Sequence, residues 1–168
     1  MKRFLSVAVL LSGLVSTGMA QLKAKTHCPD QITIDVLNGT VNNLKPNTTQ
    51  NEIKEAFPCF TSAPDEGSGA KCGGGVFFKD KDLYFYTQRK YVEVGPKFTG
   101  RTSIRLLGTK RGSLFNQLGN PKVKDDLWDA YETQYGTLVL HFDAAGPNGK
   151  VKYFQFSTLG TDALNLCE

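Results

Sequence analysis

Few side chains in this sequence could do chemistry. There are two histidines. His27 directly precedes Cys28, and His141 alternates with Leu140 and Phe142, a period-two pattern that puts it on the less buried face of a strand. A general base needs a partner to orient it, and the sequence names none. Ser68, in EGSGAK, lacks the strand–turn–helix setting of an activated nucleophile and reads as a flexible loop. Asp80 and Asp82 could ligate calcium, but Lys79 and Lys81 interleave with them, so a polar turn explains all four. Asp125, Asp126 and Asp129 could hold a hard cation or act as paired carboxylates, with a solvated loop as the alternative. Gly73–Gly75 has no Lys-Ser/Thr after it and reads as a bend leading into a strand, not a phosphate loop. These residues do not assemble into an enzyme, and no cofactor or metal is expected.

The chain opens with Lys2 and Arg3, runs apolar from Phe4 to Val15 and reaches small residues before Gln21, the pattern of a secretory signal peptide over residues 1–20. No later apolar run is long enough to span a bilayer. The expectation is an exported protein, periplasmic or extracellular. Without Lys2 and Arg3 the formal charge falls from +4 to +2. The basic residues from Lys97 to Lys124 precede an acidic group, Asp125 to Glu132, and in an exported chain this reads as a solvated face and not as a nucleic-acid site.

Four cysteines, Cys28, Cys59, Cys72 and Cys167, form an even set, which in an exported chain means disulfides. Three pairings are possible. Cys59 and Cys72 flank a Gly-, Ser- and Pro-rich stretch whose ends meet easily, and Cys28 and Cys167 lie near termini that are commonly close in a domain, so 59 with 72 and 28 with 167 is the favoured pairing.

The elements that would position these residues follow from periodicity. Ile32–Leu37 alternates as a strand. Thr49 and Glu52 form a capping box opening a short helix that ends at Pro58, with Ile53, Ala56 and Phe57 on one face. Three strands follow: Val76–Phe78, Leu83–Tyr86 and Tyr91–Val94. The order then recurs. Ser103–Leu107 is a candidate strand, Thr109 caps a helix through Leu118, and strands follow at Leu127–Glu132, Thr137–Phe142 and Val151–Phe156. Thr48 and Thr109, Ile53 and Leu114, and Phe57 and Leu118 share one offset of 61 residues. The fold class expected is α+β: two tandem units, 21–96 and 97–168, each a strand, a short helix and an antiparallel three-stranded meander. Together they would form one or two antiparallel sheets with helices packed on one face.

Gly108, Thr109, Arg111 and Leu114, the run Leu118-Gly119-Asn120-Pro121, Trp128 with Tyr131, and Leu138 to Asp143 followed by Gly149-Lys150-Val151 carry a resemblance. In their order they resemble the family of the β-lactamase inhibitory protein and the SmpA/OmlA-type outer-membrane assembly lipoproteins, over roughly 44–156. The resemblance implies a protein-binding domain with a concave, aromatic-rich sheet face. A Cys59–Cys72 bridge from helix end to following strand is also in keeping with it.

The residues themselves point the same way. Tyr84 and Tyr86 face away from Leu83 and Phe85, and Tyr91 alternates with Val92 and Val94, giving a Tyr row that suits a recognition surface as well as ordinary strand preference. Trp128, Tyr131 and Tyr153 complete the partner-binding candidates, with core packing as their alternative. The function expected is non-catalytic binding of a protein partner, by an inhibitor of a secreted or envelope enzyme. A periplasmic assembly scaffold and a small-molecule binder or hydrolase in the cleft between units are the alternatives.

Overall fold

The computed structural model describes residues 27–67, 69 and 71–167. The expected signal peptide, residues 1–20, and Ser68 lie outside the described residues.

Strands β1 (Thr33–Asp35) and β2 (Thr40–Val41) precede helix α1 (Gln50–Ala56), then come β3 (Val76–Phe78), β4 (Leu83–Tyr86) and β5 (Tyr91–Val94). After β6 (Arg101–Thr102) lie a 3₁₀ turn (Arg111–Ser113) and α2 (Phe115–Leu118), followed by β7 (Val123–Lys124), β8 (Trp128–Thr133), β9 (Gly136–Phe142) and β10 (Val151–Ser157). The class is α+β. The main sheet has seven strands in the order β3-β4-β5-β10-β9-β8-β7, antiparallel throughout. The smaller sheet, β2-β1-β6, contains a parallel β1–β6 pair, which corrects the expectation of antiparallel pairing alone.

The alternation of each strand sorts its side chains between two faces. Inside, the register lines up Val76, Phe85, Val92, Phe156, Leu138 and Tyr131 in one row, and Phe78, Leu83, Val94, Phe154, Leu140 and Asp129 in the next. Ile53 and Phe57 of α1, Leu114, Leu106 and the small sheet's Ile34 and Val41 close over these rows as one core. Helix α1 is too short to be stable alone. Its capping box, Thr49 with Glu52, satisfies its first free amide while Phe57 packs edge-on to Phe78 at 5.8 Å. Ala56, expected on the same face, is exposed.

The second helical segment departs from expectation. Thr109 does not cap it: its hydroxyl donates to Arg105 O, and the backbone of 108–112 bonds to Val151, Gly149 and Pro147 instead. Those bonds hold the segment extended until Arg111, so only a 3₁₀ turn and one α-helical turn follow. Residues 103–107 likewise form no strand. Only Arg101–Thr102 pairs with β1, and beyond Ser103 the chain turns inward to bury Leu106.

The disulfides are Cys28–Cys59 and Cys72–Cys167, which corrects the favoured pairing. Residues 61–62 run antiparallel along β3, with Ser62 opposite Phe77. Cys59 and Cys72 therefore sit beyond opposite ends of β3, on the order of 20 Å apart at strand rise, too far for one bridge. The Gly-rich stretch between them serves to cross that distance. Gly75 leads directly into β3, where a Cβ would lie 2.1 Å from Phe85 O, so a bare backbone is required there.

Candidate functional site

The outer face of the main sheet carries the residues of interest. One row crosses all seven strands: Phe77, Tyr84, Glu93, Gln155, Val139, Ala130 and Val123. A flanking row holds Tyr86, Tyr91, Ser157 and Thr137, and another holds Tyr153, His141 and Trp128. Tyr84 and Tyr86 therefore lie on the outer side, as their alternation predicts. Phe77 joins them, 5.9 Å from Tyr84 and 5.1 Å from Tyr86 between ring centroids, so three half-buried rings form one cluster at the β3–β4 edge.

Tyr91 is on the same face but fully buried, which removes it from any exposed row. Its ring stacks on Tyr86 at 4.6 Å, and its hydroxyl accepts from the backbone N–H of Cys167 at 3.2 Å. The C-terminal tail folds back across the middle of the face. Arg89 fastens it, donating to Asn165 Oδ1 at 2.8 Å, to the carbonyls of Asn165 and Leu166, and to those of Lys71 and Cys72. The Cys72–Cys167 bridge fixes the same two segments covalently.

Tyr131 is corrected as well: it faces the inner side, opposite Leu138, and is buried. It is three residues from Trp128, and an odd spacing in an unbroken strand sends two side chains to opposite faces. Trp128 is on the outer face and half-buried. Tyr153 keeps the outer side despite a bulge beside it, stacked on His141 with centroids 4.1 Å apart.

A polar chain crosses the centre of the face. Gln155, 2% exposed, donates from Nε2 to Glu93 Oε2 at 2.8 Å, and its Oε1 lies 2.9 Å from His141 Nε2. Because the Gln155 amide nitrogen faces Glu93, His141 Nε2 carries the hydrogen that meets Oε1. Burial pushes the Glu93 carboxyl above the usual carboxylate range, the Gln155 hydrogen bond partly offsets this, and Asp82 adds to the rise. Burial also raises the Tyr86 phenol to about 12, with Glu93 and Tyr84 contributing.

The acidic group is used internally. Arg111 donates from Nε to Asp129 Oδ2 at 2.9 Å, pairs through Nη2 with the other carboxylate oxygen, and also donates to the carbonyls of Asp125 and Asp126. Both side chains of the pair are over nine-tenths buried, and the guanidinium lies 4.7 Å from the Phe142 ring centroid. Asp82 holds a turn, accepting from Lys97 N at 2.7 Å and from the Tyr84 hydroxyl. Among the described residues no group of three or more His, Cys, Asp or Glu is placed to hold a metal ion, and no helix is long and apolar enough to cross a membrane.

Sequence reasoning missed Gln155, Arg89 and the tail. The available signal was Cys167, whose bridge has to carry the tail to its partner cysteine. No protein-family model, curated protein or solved structure matches the chain.

Proposed function

We propose that the chain is an exported, non-catalytic protein-binding domain that grips its partner with the outer face of the main sheet. The observation that carries this reading is the cluster of Phe77, Tyr84 and Tyr86. Three half-buried rings on an antiparallel sheet offer contact area with little side-chain freedom to lose, which is how aromatic anchors act in interfaces. Trp128 and Tyr153, on the same face at the other end of β8 to β10, extend the surface. Two disulfides fit an oxidising, exported environment.

Inhibition of a secreted or envelope enzyme is the role put forward, with envelope assembly as the alternative, by the resemblance to the β-lactamase inhibitory protein and SmpA/OmlA-type families. The main sheet supports a tandem reading of the fold. Two meanders, β3-β4-β5 and β8-β9-β10, each follow a helical segment, and they join edge to edge through β5 and β10.

The test is affinity capture from envelope and culture fluid with the disulfide-bonded protein, beside its Tyr84→Ala/Tyr86→Ala variant. One specific partner, captured by the parent and lost by the variant, is expected. An unchanged partner set would remove the assignment.

A further inference from the structure

The tail and the sheet enclose a groove of about 440 Å³. Its floor is Val139, Trp128 and His141 on β8 and β9, and its wall is Thr161, Leu164 and Leu166 of the tail. We propose that this groove binds a small, neutral aromatic molecule bearing one hydroxyl or carbonyl oxygen, at a site that shares Trp128 with the protein-binding face but is distinct from the aromatic cluster at the β3–β4 edge.

Three observations converge on that ligand class. The volume lies in the range of small-molecule sites, roughly 300–1,000 Å³, and is too small for a folded partner. The floor offers the indole of Trp128 and the imidazole of His141 in one cross-strand row, with aliphatic side chains opposite, a lining suited to a flat ring. None of the described lining residues carries a fixed charge, so an ionised ligand would lose its hydration without a counter-charge from them.

The fourth observation sets the polar group. The Thr161 hydroxyl is buried and has no hydrogen-bond partner among the described residues. Buried hydroxyls are normally paired, and a ligand oxygen in the groove would supply the missing partner. The wall is held against the sheet chiefly by Cys72–Cys167 and Arg89, with Tyr91 and Thr137 adding hydrogen bonds to the tail. Ligand binding therefore depends on the bridge.

Trp128 is the chain's one tryptophan, so its fluorescence reports on the groove directly. The purified disulfide-bonded protein is titrated with 1-naphthol and, separately, with 1-methylnaphthalene. Saturable quenching by both is expected. Thr161→Val should weaken 1-naphthol roughly fivefold to tenfold, the worth of one hydrogen bond, and leave 1-methylnaphthalene unchanged. Leu164→Lys, and Cys72→Ser with Cys167→Ser, should weaken both probes at least tenfold, with circular dichroism confirming that the sheet persists. Quenching that rises linearly without saturating, or saturable quenching indifferent to Leu164→Lys, overturns the site. Equal responses of the two probes to Thr161→Val overturn the assignment of the hydroxyl.

Discussion

The backbone N–H of Cys167 donates to the hydroxyl of Tyr91, 76 residues earlier in the chain, and so fixes the end of the tail over the centre of the outer sheet face. The Cys72–Cys167 bridge closes a separation of 95 residues at the same place. Replacing both cysteines by Ser is expected to destabilise the protein by about 2–5 kcal/mol, with about 5 the chain-entropy limit for so long a loop. Tyr91→Phe, which removes one neutral hydrogen bond, should cost about 1 kcal/mol. Urea unfolding orders the two variants, and a Tyr91→Phe loss as large as the cysteine loss would contradict the arrangement. Limited proteolysis should cut residues 159–167 faster in the Ser variant.

Arg111 and Asp129 are both buried, so removing one partner strands the other charge. Arg111→Ala is expected to cost about 3–5 kcal/mol. Arg111→Lys should recover little of it, because one ammonium cannot meet both carboxylate oxygens and the two carbonyls that the guanidinium fork satisfies. Arg111→Met combined with Asp129→Leu should be less destabilised than Arg111→Ala alone. Denaturant midpoints decide this, and additive losses would refute the pairing.

Glu93 gives stability a pH dependence of known sign. Its folded-state carboxyl titrates above its ordinary value of 4.5, so between these two values the folded state holds more protons than the unfolded chain. The stabilising contribution of the protonated form is complete below pH 4.5 and is lost as pH rises through the folded-state value. Glu93→Gln still accepts from Gln155 without the buried charge. The variant should be at least as stable as the parent at pH 7, with a flatter stability profile across that window. Asp35 and Glu52 act oppositely: hydrogen bonds hold both below their usual values, so their contributions are lost only at more acid pH. Thermal melts from pH 3 to pH 8 measure the difference, and an unchanged slope in Glu93→Gln would exclude this account.

Helix α1 depends on its N-cap, Thr49. The Thr49 hydroxyl accepts from Glu52 N while the Glu52 side chain accepts from Thr49 N. Thr49→Ala should cost about 1 kcal/mol and Thr49→Ser far less. Equal losses in chemical denaturation would show that the cap contributes through shape and not through its hydroxyl.

Local pattern was legible wherever local physics decided it. The alternation of Leu83-Tyr84-Phe85-Tyr86 placed Leu83 and Phe85 inward and the two tyrosines outward, Thr49 and Glu52 opened a helix, and His141 fell on the outer face. The same logic, carried through, would have separated Trp128 from Tyr131. Thr109 misled because its capping pattern competed with backbone bonds to Gly149 and Val151, some forty residues away, and those bonds prevailed.

By itself the sequence determined the strands of the two meanders, the first helix and the two faces of the main sheet, because a period of two or of a helical turn is written within a few neighbouring residues. Tertiary structure alone decided that Cys59 meets Cys28, that Arg111 enters a cage of aspartates, and that residues 159–167 cross the sheet to bury Tyr91. These outcomes depend on where distant segments arrive once strands have paired, and the antiparallel run of residues 61–62 beside β3 set Cys59 and Cys72 apart.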